Sequence, residues 1–177
     1  MNRRDLEHLI RAAADLTDDE EIVVIGSQSI LAQFPDAPSA LRVSMEADLF
    51  PKNRPERWDI IDGSIGEGSL FHATFGYYAQ GVDENTATLP SGWRDRLVAI
   101  KNANTRGATG WCLEAHDLIL SKYVAGREKD AVYVRAALAA GLVSTEGLHE
   151  RLVGLPVDPL RLHQISAQIV ADAKLRP

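Results

Sequence analysis

The sequence predicts an α/β (α+β) fold, a small mixed and mostly antiparallel sheet flanked by helices, with a C-terminal helical layer. Three observations predict it. A short apolar run, IVVIG at 22–26, reads as a buried strand ending at a glycine. Segments of strand and helix character alternate through the first hundred residues. From Glu114 onward the apolar spacing is helical.

The elements follow in order. Leu6, Leu9, Ile10, Ala13 and Leu16 recur at helical spacing until the polar run TDDEE at 17–21 closes the segment, which predicts an amphipathic helix. After the IVVIG strand, SQSILAQF carries Ile30, Leu31 and Phe34, the pattern of a helix with Ser27 near its N-terminus. PDAPSA at 35–40 is a connector. RVSMEADLF then alternates, with Val43, Met45, Ala47 and Leu49 on one face and Ser44, Glu46 and Asp48 on the other, until Pro51 ends the strand. RPERWDIIDGSI predicts a helix around Trp58, Ile60 and Ile61, and glycines 63, 66 and 68 mark a loop. HATFGYYAQGV and RLVAIKN read as further strands, separated by a turn-rich stretch around ENTATLPSGW. Three helical segments complete the chain. They are AHDLILSKYVAGREKDAVYVRAALAAGL, TEGLHERLVGL, and DPLRLHQISAQIVADAKL, the last opened by an Asp158 cap with Pro159 at the first helical position. No repeat or flexible linker divides the chain. A single domain over 1–177 is expected, with a core at 20–113 and a helical part at 114–177 packed on it.

Composition narrows the function. With 177 residues, 45% apolar and 25% charged, the chain has enough apolar mass for a normal core, which excludes disorder as its main state. A net charge of -6 argues against a broad non-specific nucleic-acid surface while leaving room for a local basic patch. The start MNRRDLEHLI lacks a signal-peptide apolar region, and no apolar run approaches the roughly 18 residues of a membrane span. A cytoplasmic protein with no membrane contact is therefore expected. Cys112 stands alone, excluding an internal disulfide or a thiolate zinc cluster, and the five histidines show no HxxxH or HxH spacing. Gly26-Ser27-Gln28-Ser29 is not a GxSxG elbow, and GSIGEGS lacks the GK[ST] of a P-loop.

Two features carry chemistry. On a strand, Glu46 and Asp48 point to the same face, and two carboxylates so placed repel unless a cation lies between them. Oxygen-only ligands suit Mg²⁺, which binds through one or two carboxylates plus substrate phosphates. The alternative is a plain solvent-facing strand surface. Gly26-Ser27, where a strand turns into a helix, is either a serine-capped turn or a place where phosphate approaches the backbone at a helix N-terminus. Taken together they form a phosphate cradle beside a metal site, the combination that phosphoryl or nucleotidyl transfer requires.

The order apolar strand, Gly26-Ser27, helix, then Arg42-x-Ser44-x-Glu46-x-Asp48-Leu49 resembles the polymerase-β-type nucleotidyltransferase superfamily. The run HDLILSKYVAGREKD at 116–130 is similar to the Asp-Leu, Lys and Arg-x-Lys-Asp blocks of a bacterial branch. That branch includes relatives of abortive-infection and toxin–antitoxin nucleotidyltransferases. The resemblance covers roughly residues 20–140. It implies that Glu46 and Asp48 hold Mg²⁺, that Gly26 and Ser27 meet a nucleoside triphosphate donor, and that Lys122 reaches a phosphate with Asp130 completing the cluster. Arg42, Arg127 and Lys129 are expected at the nucleotide. The acceptor implied is a hydroxyl on a protein, a small molecule or an RNA end, and a protein partner fits the same branch.

The sequence departs from that pattern at two points. Glu46 stands where Asp is commoner, and the third strand carboxylate of many members is not obvious. Asp83 and Glu67 are the candidates for it, although DENT at 83–86 also spells an ordinary turn. An uninterrupted helix would stack Lys122, Lys129 and Asp130 along one face, with Arg127 and Asp130 close enough to pair, but Gly126 weakens its continuity.

Overall fold

The computed structural model describes residues 1–175; residues 176–177, the tip of the expected C-terminal part, lie outside the described residues. Helix α1 (Arg3–Thr17) leads into β1 (Glu21–Ile25), a 3-10 turn (Ser27–Ala32) and β2 (Glu46–Pro51). Helices α2 (Trp58–Ile65) and α3 (Leu70–Phe75) precede β3 (Tyr78–Gly81), β4 (Val98–Ile100) and β5 (Thr109–Cys112). Four helices follow: α4 (Ala115–Ala125), α5 (Glu128–Ala139), α6 (Thr145–Leu152) and α7 (Pro159–Lys174). This is the α+β architecture the sequence predicts. Among the described residues no helix is long and apolar enough to cross a membrane.

The strands form one sheet in the order β3-β2-β1-β5-β4. Central position explains the unbroken apolar run of β1, since Ile22 to Ile25 are covered on both faces. β1 runs antiparallel to β2 and parallel to β5, β2 and β3 are parallel, and β4 and β5 are antiparallel. The sheet is thus half parallel rather than mostly antiparallel. A parallel pair needs a crossover, and α2 with α3 supplies it between β2 and β3.

α1 lies across one face of the sheet. Asn2 and Asp5 cap it reciprocally, and Leu6, Leu9, Ile10 and Ala13 turn into the core. Gly110 of β5 sits under Ile10, where a Cβ would come within 2.4 Å of the Ile10 side chain. The register carries that face through Ile22 and Val24 to Leu49 and Ala47, leaving Asp48 and Glu46 on the opposite face.

Several expectations about the elements differ from the structure. Residues 42–45 are not strand: β1 ends at Ile25, opposite Asp48, so the chain before Glu46 runs past it. Val43 and Met45 are accordingly 77% and 54% exposed rather than aligned with Ala47 in the core. Segment 70–75 is helix α3, because Ser69 caps its start and Gly76, at φ 76°, ends it. Strand β5 went unpredicted, since TGWC is too short and glycine-containing to show alternation. The long predicted helix from 115 breaks at Gly126, whose φ of 64° closes α4, and α5 folds back against α4.

Candidate active site

On the sheet face opposite α1, a cleft of about 900 Å³ opens between β2, β3, the 3-10 turn and the α4–α5 corner. Gly26, Ser27, Glu46, Asp48, Lys122, Arg127, Lys129 and Asp130 all line it. Arg42 does not. It follows a one-turn 3-10 segment, and its Nε is buried without a hydrogen-bond partner among the described residues.

The floor is built by strand register. Ile25 pairs with Asp48, so the chain turning out of β1 at Gly26 passes directly over that carboxylate. A Cβ on Gly26 would lie 1.9 Å from Asp48 Oδ2, and its backbone, at φ 73° and ψ -169°, is a conformation only glycine takes readily. Burial first, then the neighbouring Glu46 carboxylate, pushes the Asp48 carboxyl up to about 7, against the pull of Lys122 and Arg127. Two oxygen-donor carboxylates sharing one face, one of them held up in this way, fit a divalent cation. Among the described residues no group of three or more His, Cys, Asp or Glu side chains gathers for a metal. The donor set therefore suits an ion that takes its remaining ligands from water and substrate phosphates.

The basic wall comes from the α4–α5 corner. Lys122 Nζ donates to Ser27 Oγ at 2.8 Å and to Asp130 Oδ1 at 3.2 Å, and lies 4.4 Å over the Tyr133 ring. Burial lowers the Lys122 ammonium, and Asp130 opposes that. Although burial acts against it too, Asp130 is held below the ordinary carboxylate range by Arg127 and Lys122. Arg127 Nε donates to Asp130 Oδ2 at 2.6 Å. Helical stacking over eight residues plays no part, because the break at Gly126 turns α5 so that Asp130 faces Lys122. Lys129 is exposed at the cleft.

The turn after Gly26 is a six-residue 3-10 segment, not the α-helix expected for SQSILAQF. So short a turn has no developed helix dipole, and the positive charge lining the cleft comes from Lys122, Arg127 and Lys129 instead.

Three lining or supporting residues escape sequence reasoning. Tyr133 donates its hydroxyl to the Ser27 carbonyl at 2.7 Å, tying α5 to the turn. Tyr78 and Gln80 of β3 pair with Glu46 and Asp48 and share their face. Their alternation was readable in FGYYAQGV, but only the register between strands sets them beside the carboxylates. Asp83 instead caps the turn at Asn85, Glu67 is exposed in the loop before α3, and neither lines the cleft. The sheet position beside Asp48 therefore holds an amide, Gln80.

Compared with known families, residues 4–156 match a family model described as a nucleotidyltransferase of unknown function (DUF6036). No curated protein and no solved structure matches the chain.

Proposed function

The chain belongs to this nucleotidyltransferase family, and on that footing we propose that it moves a nucleoside monophosphate from a nucleoside triphosphate to a hydroxyl acceptor in a Mg²⁺-dependent reaction. One observation supports the reading most. A single cleft gathers the Glu46–Asp48 pair, the Gly26-Ser27 turn and the Lys122–Asp130–Arg127 cluster from elements far apart in the chain.

Glu46 and Asp48 would hold the metal, which when bound neutralises triphosphate charge and polarises the α-phosphate. Lys122, Arg127 and Lys129 bind the phosphates. Asp130 keeps Lys122 charged and aimed across the turn, so that the ammonium is in place before the nucleotide arrives. The acceptor hydroxyl oxygen attacks the α-phosphorus, its proton passes to water, the α–β anhydride bond breaks and pyrophosphate leaves. The acceptor is a protein side chain, a small molecule or an RNA end, and the setting is cytoplasmic.

Calorimetric titration with ATP, CTP, GTP and UTP, with and without Mg²⁺, tests binding. A labelled-transfer assay in cell extract then compares the wild type with Glu46→Gln and Asp48→Asn. Mg²⁺-dependent binding and loss of transfer in both variants are expected. If no triphosphate binds and no label moves, the reading fails.

Gln80 favours a second reading, a non-catalytic nucleotide-binding or regulatory module such as a toxin–antitoxin component. An amide cannot take the proton of an attacking hydroxyl. On that reading the wild type binds triphosphate but transfers nothing, and Gln80→Glu gains transfer.

A further inference from the structure

Glu46 is one methylene longer than aspartate, and every added rotatable bond loosens the placement of a carboxylate oxygen. The structure shows what restrains it. Tyr78 lies directly opposite Glu46 in the parallel β2–β3 pairing, and its hydroxyl donates to Glu46 Oε2 at 2.9 Å. The neighbouring Asp48 carboxyl is the other side chain that meets Glu46. Tyr78 is itself held. The His72 ring packs on it with centroids 4.6 Å apart, while the His72 backbone N–H donates to Ser69 Oγ and its Nδ1 accepts from the Gly68 N–H. A capped helix start thus fixes a ring, and the ring fixes the carboxylate.

We propose that Tyr78 is a positioning residue that pins one oxygen of Glu46 and leaves the other to face the cleft with Asp48, so that hydrogen bonding restores the placement the longer arm gives up. This rests on the reading that Glu46 and Asp48 hold the divalent cation. Tyr78 touches neither metal nor nucleotide in this role; it acts through Glu46. The aspartate of a shorter arm needs no such clamp, and that difference makes the proposal separable from general support of the sheet.

Mn²⁺ binding to the purified full chain, followed by electron paramagnetic resonance with a non-hydrolysable triphosphate analogue present, tests it without relying on turnover. The wild type, Tyr78→Phe, Glu46→Asp, the double variant and Glu46→Gln are compared, with thermal midpoints measured alongside. Tyr78→Phe should weaken Mn²⁺ about tenfold, the loss expected for one hydrogen bond to a charged group, at an unchanged midpoint. In the Glu46→Asp background the same change should alter affinity less than about twofold, because the shorter arm no longer reaches the hydroxyl. Equal weakening in both backgrounds, or none in either, overturns the clamp while the metal site stands. Absence of Mn²⁺ binding by the wild type, or full affinity in Glu46→Gln, sinks the metal reading itself and the clamp with it.

Discussion

Gly26 shows how much of the site depends on one missing side chain. It lets the chain leave β1 over Asp48 with no atom in the space that the carboxylate occupies. Gly26→Ala would therefore strain the backbone and press on Asp48 together. The expected cost is about 1–3 kcal/mol from the conformation alone, with triphosphate affinity falling further than stability does. Urea unfolding paired with calorimetric titration measures both, and an alanine variant with wild-type nucleotide affinity would show that the close approach is incidental.

At the scale of elements, the α4–α5 corner links the helical part to the sheet. Lys122 and Asp130 leave only 7% and 2% of their side chains exposed, and while Asp130 also pairs with Arg127, the Lys122 ammonium has Asp130 as its ion-pair partner, so its charge is poorly tolerated without that carboxylate. Asp130→Asn should destabilise the chain by about 3 kcal/mol, the usual loss when a buried ion pair keeps one member, and adding Lys122→Met should recover part of it. A urea midpoint unmoved by Asp130→Asn would contradict this. The start of α4 is tied separately. His116 accepts from the Ser144 N–H before α6 and meets Glu114, which also pairs with Arg151 of α6. Burial opposes ionisation of Glu114, but His116 and Arg151 hold its carboxyl down to about 2. Its ordinary value is 4.5, so acid protonates the unfolded chain first, and this contribution to stability is lost as pH falls from about 4.5 toward 2. Glu114→Gln should flatten the fall of stability in that window. Unfolding curves at successive pH values check it, and an unchanged slope would count against the tie.

For the whole molecule, the relevant contrast is a net charge of -6 against three cations gathered at one cleft. On the proposed function, a triphosphate would be drawn in by the local field of Lys122, Arg127 and Lys129 against the mean field of the surface. Its affinity should fall with ionic strength. Arg127→Glu combined with Lys129→Glu should cost about tenfold or more and remove that dependence. Titrations at low and high salt decide the point; a double variant that binds as the wild type does would move the phosphates elsewhere. The same balance places a long polyanion at a disadvantage as acceptor, since the net charge of the chain opposes it.

Period and composition by themselves determined the α+β class, the α1 and α6–α7 helices, the β1 strand and the candidate carboxylates, because hydrophobic spacing and the i, i+2 geometry of a strand are local properties. Glu46 and Asp48 could be paired on paper for that reason. Where β2 begins, which strands run parallel, and the helical state of 70–75 depended on partners and caps that no local spacing encodes. Tertiary structure alone decided that Tyr78 and Gln80 stand beside the carboxylates, that Gly26 must be glycine because Asp48 lies beneath it, and that Lys122 meets Asp130 through a broken helix rather than along a continuous one. Register between strands and the direction a chain takes after a left-handed glycine are set by packing across the molecule, where residues far apart in sequence compete for the same space.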